Sequence, residues 1–371
     1  MTDSFYSKKS KEIIYIGSVV SDSVAQKYRE YSIAGNSYQN KFVHLSEPDE
    51  IINLRPLGLT DRSSRAIKYE FSLSGAVRLA TKVLRYILYT AKTAFILYSL
   101  VKKRTEPIVI FYNVDYINLI LIALAEVLEC KVVIIAADYV APPRTVIAEL
   151  LLLPYQYADG VIKLRRNNDF SGRQLLLTAI IDPNDGLDHL SVGARHLLYS
   201  GSIGYTTGLA IVIETASKLP SVTFNISGPL YDISEEDFYK AIRSGSTKGA
   251  NIIYHGVLTN EKYLTLLRDC EIAISMRNPE DPDHHNNFPS KIAEYFNNSR
   301  CVISSIKYEV IPEDAYVYSE FTGECLSFII GSLFDDECRL QNYGRRGFLF
   351  AQEEFSVNAS SRKLRNFFIG L

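Results

Sequence analysis

The residues whose types and spacing best suit a chemical role lie at positions 286–295. An apolar run precedes the segment and another follows it, so the pattern predicts a loop and a helix between two buried strands. Pro289 suits the start of that helix, because the first N–H groups of a helix have no acceptor within it. Those groups, together with the partial positive charge of the helix end, favour an anion. Lys291 adds a full positive charge, and Glu294 lies one turn further along the same face.

These features predict a site for a diphosphate joined to a ribose. The N–H groups of Ser290, Lys291 and Ile292 would point out of the helix end, and Ser290 also offers a hydroxyl. Glu294 can accept a hydrogen bond from a sugar hydroxyl. The alternative is an ordinary helix whose Pro, Ser and Lys are only a start signal and a solvated face.

Composition limits the classes of protein to consider. The chain has 371 residues, of which 47% are hydrophobic and 22% are charged, as expected of a globular protein with two domains. A formal net charge of -2 provides no overall attraction to nucleic acid, so we expect no nucleic-acid partner. The five cysteines form no C-x-x-C pair, which favours neither a disulfide framework nor a zinc site and fits a reducing cytoplasm.

The start of the sequence has no apolar core of signal-peptide length, and no run reaches the roughly 18 apolar residues of a membrane span. We therefore expect a cytoplasmic protein that is not integral to a membrane.

Short apolar runs alternate with longer helical patterns, which predicts the α/β class with two doubly wound, Rossmann-like domains facing a cleft. The predicted strands are 13–17, 42–45, 108–112, 132–136 and 160–164 in the first domain, and 197–200, 222–226, 252–254, 272–275 and 302–304 in the second. Turn-forming residues at 182–186 predict the linker. The expected domains are 1–184 and 185–355, followed by a helix at 356–371 that crosses back onto the first domain or ends the second.

Glycines follow several strands of the predicted second domain. The first such strand runs into a turn that contains Gly201, Ser202 and Gly204, the next ends at Gly228, and the third is followed by His255 and Gly256. Glycine lets the backbone approach a ligand, and a helix start offers N–H groups to phosphate. Taken singly, these residues are equally consistent with tight turns.

Taken in order with positions 286–295, these turns resemble the donor domain of GT-B glycosyltransferases, in particular the retaining family 4 type of bacterial exopolysaccharide and capsule synthesis. The resemblance covers roughly positions 195–305, and in the first half it concerns architecture alone. It implies a nucleotide-sugar donor, with the diphosphate on the helix start and Glu294 on the ribose. The implied donor-binding residues are Gly201, Ser202, Gly204, Gly228, His255, Gly256, Asp283, Asn286, Asn287, Phe288, Pro289, Ser290, Lys291 and Glu294.

The sequence departs from this family pattern at two places. The family commonly has two glutamates separated by seven residues, and the first would fall at Asn286. Many members also place an Arg and a Lys after the first glycine loop, where this chain has residues 205–207, Tyr-Thr-Thr. Lys291, with Arg195 or Arg277 as further candidates, is left to balance the charge of a diphosphate.

No metal or other cofactor is expected. Asp281 and Asp283 resemble a D-x-D metal motif, and His284 and His285 could bind a metal. Adjacent histidines cannot easily face one ion, however, and a polar loop that contacts sugar hydroxyls is the preferred interpretation.

The first domain would hold the acceptor. Gly17 and Ser18 follow its first strand and precede a helix with Arg29, so this loop should face the cleft, and it resembles the acceptor-side glycine loop of the same enzymes. Asp115 and Asp138 follow later strands and could take a proton from an acceptor hydroxyl, although either could equally cap a helix.

In the family that the chain resembles, retaining transfer is thought to need no side-chain base, because the leaving phosphate can take the proton. Lys291 would then be the main catalytic group, since it stabilises the departing diphosphate. If the enzyme inverts, Asp138 or Asp115 becomes essential.

A helical pattern spans positions 75–104, with Arg78, Lys82, Arg85 and Lys92 on one face. Such a basic amphipathic helix can lie on an anionic membrane, at the inner face of the plasma membrane, and would suit a lipid-linked acceptor. The alternative is a crossover helix with a solvated charged stripe.

The sequence thus predicts a metal-independent glycosyltransferase that moves a sugar from a nucleoside-diphosphate-sugar to a glycan or lipid-linked acceptor, in bacterial surface polysaccharide synthesis. The alternatives are a nucleotide-sugar epimerase of the same architecture and a non-catalytic partner subunit.

Overall fold

A computed structural model of the protein describes residues 12–17, 19, 33–54, 75–137, 146–164, 170, 172–182, 193–281 and 288–371. These residues contain two six-stranded sheets, with helices between most successive strands. The chain divides into two compact units, Met1–Leu177 with Ser361–Leu371, and Thr178–Ser360. The predicted α/β class with two Rossmann-like sheets is confirmed.

The first unit contains a parallel sheet in the order β2-β1-β3-β4-β5-β6. Its strands are β1 Ile13–Gly17, β2 Glu50–Asn53, β3 Ile108–Tyr112, β4 Lys131–Ala136, β5 Gly160–Lys163 and β6 Arg173–Leu176, and its helices are α1 Ile33–Ser46, α2 Gly75–Val101, α3 Tyr116–Val127 and α4 Val146–Tyr157. The central strands are almost entirely buried, because helices cover both faces of such a sheet.

The second unit contains a parallel sheet in the order β12-β11-β10-β7-β8-β9. Its strands are β7 His196–Ser200, β8 Thr223–Ser227, β9 Asn251–Tyr254, β10 Ile272–Ser275, β11 Cys301–Ser304 and β12 Val317–Tyr318. Its helices are α5 Leu209–Lys218, α6 Glu235–Ser246, α7 Asn260–Arg268, α8 Ser290–Asn297, α9 Gly323–Asp335, α10 Glu337–Glu354 and the start of α11 Val357–Ile369. The strand order reverses between β7 and β10, so the carboxyl ends of these two strands flank the point where ligands of doubly wound sheets bind.

Helix α8 is held against this second sheet by its apolar face. Ile292, Tyr295 and Phe296 are fully buried and belong to one cluster with Leu198 of β7. This packing fixes the start of α8, with Lys291 and Glu294 on its more exposed side.

The predicted strand at 42–45 is wrong, because these residues lie in α1. Gln39, Phe42 and Ser46 are buried at helical spacing, and Phe42 packs its ring against Tyr15 and Tyr38 with centroid distances of 5.9 and 6.4 Å. Contact with β1 therefore decides the conformation of a short apolar run that suits either a helix or a strand.

The end of α11 belongs to the first unit. Arg173 of β6 donates a hydrogen bond from Nη2 to the Asn366 carbonyl at 3.1 Å, and a Cβ atom at Gly160 would lie 2.6 Å from the Phe367 ring. Residues 183–186 of the predicted linker lie outside the described residues, and the predicted domain limits stay a prediction. Among the helices that the structure describes, none has both the length and the apolar character that a membrane crossing requires.

Candidate functional site

The predicted helix start is present, with two differences in its backbone. Pro289 is the N-cap residue (φ -73°, ψ 109°) rather than the first helical residue, and no side chain caps the helix. The N–H group of Ile292 donates to the Pro289 carbonyl at 3.0 Å. Ser290 and Lys291 therefore supply the N–H groups that have no protein acceptor in the described part of the chain.

Phe288, a predicted donor ligand, helps to anchor the helix start. Its side chain is buried, and its ring packs edge-on against Tyr308 and Phe355 with centroid distances of 5.4 and 5.9 Å. This packing holds the backbone at Pro289 in place.

Lys291 and Glu294 form an ion pair on the exposed side of α8. The Lys291 Nζ atom lies 2.8 Å from Glu294 Oε2, and the two side chains are 36% and 31% exposed. Lys291 Nζ also lies 3.9 Å from the centroid of the Tyr263 ring, which stabilises the cation through the negative face of the ring. Tyr263 donates its hydroxyl hydrogen to Glu294 Oε2 at 3.1 Å. One tyrosine of α7 thus contacts both charged groups.

The same tyrosine connects α8 to the end of β7. The hydroxyls of Tyr263 and Tyr295 lie 3.3 and 2.9 Å from Ser200 Oγ. Burial raises the pKa of the Tyr263 hydroxyl well above its ordinary value, so this group stays a hydrogen-bond donor. We call Ser200, Tyr263, Lys291, Glu294 and Tyr295 the α8 cluster.

The predicted glycines at the ends of β7, β8 and β9 lie side by side. A Cβ atom at Gly228 would lie 1.8 Å from the Gly201 carbonyl oxygen, and Gly228 has φ +146°. The N–H group of Gly201 donates to the Ser227 carbonyl at 3.1 Å, and that of Gly228 donates to the Gly256 carbonyl at 2.9 Å. Only glycine permits this close approach.

In the turn between β7 and α5, residues 201–208, most backbone N–H groups already donate hydrogen bonds to protein acceptors. Its N–H groups that already donate to protein acceptors belong to Gly201, Ile203, Gly204, Tyr205, Thr206 and Gly208. Among the predicted ligands Gly201, Ser202 and Gly204, it is Ser202 whose N–H and hydroxyl have no protein partner within the described residues. The N–H groups of Tyr205 and Thr206 donate to the two Asp232 carboxylate oxygens at 2.7 and 2.9 Å.

Asp232 therefore occupies a position where an anion would bind. Burial alone would raise the pKa of its carboxyl group, but the hydrogen bonds from Thr206 and Tyr205 lower the pKa below the ordinary value. A Cβ atom at Gly204 would lie 1.5 Å from Asp232 Oδ1, so glycine is required there for this contact.

His255 is fixed by a buried amide. The Asn225 side chain donates from Nδ2 to Cys270 Sγ at 3.6 Å, and its Oδ1 lies 2.9 Å from His255 Nε2. In the neutral ring Nε2 therefore carries the hydrogen, and Nδ1 is an acceptor without a protein partner among the described residues. Burial lowers the pKa of His255, which favours this neutral form.

In the first unit, Asp115 is the N-cap of α3, and its Oδ1 accepts the Asn118 N–H at 2.7 Å. Asp115 thus caps a helix, which is the alternative that the sequence left open for it. Gly17 ends β1 and is buried, and a Cβ atom there would lie 2.6 Å from Gln39 Oε1. The remaining predicted site residues lie outside the described residues, namely Ser18, Arg29, Asp138, Asp283, Asn286 and Asn287.

Sequence reasoning missed Tyr263 and Asp232. No spacing rule connects Tyr263 to Lys291, because the two residues belong to different helices, and Asp232 follows a strand without any motif. Across the residues with described positions, no group of three His, Cys, Asp or Glu side chains is arranged to hold a metal ion. Metal independence stays a prediction.

Neither the family models nor the curated proteins give a sequence match for this chain. Solved structures do match it. Anabaena HepE in complex with UDP has 12% identity and a TM-score of 0.64, with 97% of this chain and 100% of that chain covered. A glycosyltransferase from Rickettsia africae has 15% identity and a TM-score of 0.64, with coverage of 96% and 98%. The N-terminal domain of a trehalose-6-phosphate phosphatase from Candida albicans has 11% identity and a TM-score of 0.63, with coverage of 98% and 97%. At these identities the likeness concerns the fold, and the chain has the GT-B architecture.

Proposed function

We propose that this protein is a retaining, metal-independent glycosyltransferase that moves a sugar from a nucleoside-diphosphate-sugar to a glycan or lipid-linked acceptor in bacterial surface polysaccharide synthesis. The observation that carries the proposal is the α8 cluster together with the N–H group of Ser290. A cation, a carboxylate and two helix-start N–H groups meet there beside the end of β7. A doubly wound sheet binds its ligand at this edge.

Each group in the cluster has a chemical task. Lys291 and the N–H groups of Ser290 and Lys291 would bind the diphosphate, and Glu294 would accept a hydrogen bond from the ribose through Oε1, since its Oε2 already accepts from Lys291 and Tyr263. As the bond to the sugar breaks, negative charge grows on the leaving diphosphate, and a cation already in place stabilises it without reorganisation.

The acceptor proton has two possible destinations. Asp115 already accepts a backbone hydrogen bond as a helix cap, so this carboxylate has a structural task within the protein. This favours the route of the enzymes that the chain resembles, in which the leaving phosphate takes the proton. Asp138 remains the candidate base for an inverting reaction.

The fold comparison agrees with a nucleotide ligand. HepE structures with this fold contain UDP and UDP-glucose. We infer from this match and from the α8 cluster that a nucleoside-diphosphate-sugar is the donor here.

Calorimetry with UDP and GDP tests the proposal. Lys291→Ala should weaken binding by about 10- to 100-fold, since a hydrogen bond to a charged group contributes roughly 1.5–3 kcal/mol. Lys218→Ala is the matched control, because Lys218 forms a similar 2.8 Å helix-surface pair with Glu214 away from this edge and should not change the affinity. If the wild-type protein binds no nucleoside diphosphate, the proposal is wrong.

A non-catalytic partner subunit is the second candidate, and the turn at 201–208 favours it. Asp232 takes two N–H groups that a phosphate could otherwise use. This alternative predicts neither nucleotide affinity nor donor hydrolysis, and a stable complex with another transferase. An epimerase would turn over the donor without any acceptor, which product analysis by NMR detects.

We also propose that the protein acts in the cytoplasm, at the inner face of the plasma membrane, through α2. Large apolar side chains on α2 are exposed, namely Leu84, Ile87, Leu88 and Phe95. Helix α2 has no Asp or Glu, and Lys92, Lys102 and Lys103 are exposed on it or just after it. An apolar face with flanking cations suits an anionic bilayer surface.

Co-sedimentation with anionic and neutral vesicles at low salt tests this contact. Phe95→Glu should reduce binding to anionic vesicles, because Phe95 is 71% exposed on the proposed membrane face. Phe328→Glu is the control, since Phe328 is 77% exposed on α9 of the second unit. If wild-type protein ignores anionic vesicles, the membrane proposal is withdrawn.

A further inference from the structure

Binding a diphosphate at this edge requires more positive charge than the α8 cluster supplies. Lys291 is paired with Glu294 at 2.8 Å, so the two side chains together carry no net charge. In the turn at 201–208, most N–H groups already have protein acceptors, and Asp232 adds a negative charge. The residues after the first glycines of this turn, Tyr205, Thr206 and Thr207, are uncharged.

Two arginines were candidates for the missing charge, and the structure separates them. Arg195 precedes β7, at the amino end of the sheet. Its Nη2 atom lies 3.1 Å from Asp335 Oδ1, and its guanidinium lies 5.9 Å from the Phe334 ring centroid. Arg195 is thus on the wrong edge and already paired. Arg277 comes two residues after the end of β10, at the carboxyl edge and beside the point where the strand order reverses.

Hydrogen bonds to Ser305 hold the backbone at Arg277, and the next residue contacts the 201–208 turn. The Arg277 N–H donates to Ser305 Oγ at 2.7 Å, and the Ser305 hydroxyl donates to the Arg277 carbonyl at 2.6 Å. The next residue, Asn278, donates its N–H to the Thr206 carbonyl at 3.2 Å. This bond connects the segment that follows β10 to the turn.

The guanidinium of Arg277 is half-buried, and within the described residues it has no ion pair or hydrogen bond. Its positive charge acts on the hydroxyl of Tyr199, which donates to the Thr207 carbonyl at 2.8 Å. Burial raises the pKa of Tyr199 to about 12, and the positive charge of Arg277 acts in the opposite direction. Arg277 is thus a cation next to the residue that contacts the turn, with no counter-ion in the described part of the chain, and such a group suits a diphosphate site.

We propose that Arg277 binds the diphosphate of the donor, as a second cation beside Lys291. The inference rests on the proposed function and names a residue that supplies its phosphate affinity. A guanidinium can donate two parallel hydrogen bonds to phosphate oxygens, and it stays charged at any physiological pH. Arg277 would take the role that the uncharged turn residues 205–207 cannot fill.

Calorimetry on the full chain tests this assignment, with UDP, GDP and inorganic pyrophosphate as ligands and uridine and guanosine as phosphate-free probes. Arg277→Ala should weaken binding of the nucleoside diphosphate and of pyrophosphate by about 10- to 100-fold, and leave nucleoside binding unchanged. Arg277→Lys should restore part of the affinity, because it keeps the charge but loses the paired donors. Arg195→Ala should bind every ligand as wild type does. Thermal unfolding checks that each variant is folded.

The outcomes separate this inference from the proposed function. If wild-type protein binds none of the phosphate-containing ligands, both fail. If wild type binds and Arg277→Ala binds equally well, the assignment of Arg277 is overturned and the proposed function stands. An equal loss of nucleoside and diphosphate binding would also overturn it, since that result indicates a general change in the site rather than lost phosphate contact.

Discussion

Tyr263 contacts both charged groups of the α8 cluster, the lysine with its ring and the glutamate with its hydroxyl. A substitution can therefore remove one contact and keep the other. The ring lies 3.9 Å from Lys291 Nζ, and the hydroxyl donates to Glu294 Oε2 at 3.1 Å. Tyr263→Phe keeps the ring beneath the lysine and removes the donor to the carboxylate. We expect the variant to fold and to bind nucleoside diphosphates more weakly.

The size of the effect follows from the geometry. A hydrogen bond to a charged group contributes roughly 1.5–3 kcal/mol, but Glu294 is 31% exposed and keeps Lys291 as a partner, so water can replace part of the loss. We therefore expect a cost of about 1 kcal/mol, which corresponds to a loss of about fivefold in affinity. The contact of the lysine with the ring, of about 0.5–1 kcal/mol, should persist.

A double-mutant cycle with Glu294→Gln provides the assay. Calorimetry with UDP or GDP on wild type, both single variants and the double variant gives the coupling between hydroxyl and carboxylate. Tyr38→Phe is the control, because the Tyr38 hydroxyl donates to the Leu177 carbonyl at 3.0 Å in the first unit. It should leave nucleotide affinity unchanged.

Additive effects in the cycle would refute this reasoning. They would mean that Tyr263 does not act through Glu294, and that the 3.1 Å contact has no part in ligand binding. A loss of affinity in Tyr38→Phe as large as in Tyr263→Phe would indicate a general loss of stability instead.

Two further predictions concern the backbone and the titration of the second unit. Gly228→Ala should destabilise the protein by about 3 kcal/mol, because its Cβ atom would overlap the Gly201 carbonyl and its φ is +146°. Gly193→Ala is the control and should cost about 1 kcal/mol, because nothing lies within 4 Å of the new atom. Thermal unfolding compares the two variants. Burial lowers the pKa of His255, so the unfolded chain takes up the proton first as the pH falls below about 6.5. Its stabilising contribution should be complete above that pH and lost as the pH falls through the folded pKa, and His255→Gln should show a flatter pH dependence of the unfolding temperature between pH 7 and 5.

The sequence predicts the central strands of both sheets well, because parallel strands buried on both faces appear as continuous apolar runs. The strands it missed are edge strands. In β2 one residue of four, Ile52, is buried, and β6 has none fully buried, so neither has an apolar pattern to detect. The two-residue strand β12 is shorter than any periodicity can show.

In the candidate site, too, one part can be predicted from the sequence and another cannot. The relation between Lys291 and Glu294 follows from their spacing on one helix, and spacing is visible in a sequence. The parts contributed by Tyr263, Asp232 and Arg277 depend on which strand ends and helices meet in three dimensions. The strand order that places β10 next to β7 has no local signal in the chain.

The charges at the edge of the second sheet are arranged so that binding a diphosphate must exchange partners rather than fill a vacant site. Asp232 already accepts the N–H groups of Tyr205 and Thr206, and Glu294 already accepts from Lys291. A phosphate that approaches Lys291 competes with a carboxylate at 2.8 Å, so part of its Coulomb attraction replaces one that already exists. Arg277 has no such competitor among the described residues. For this reason, a phosphate bound by Arg277 should gain its charge interaction without displacing a carboxylate, whereas a phosphate bound by Lys291 must first displace Glu294.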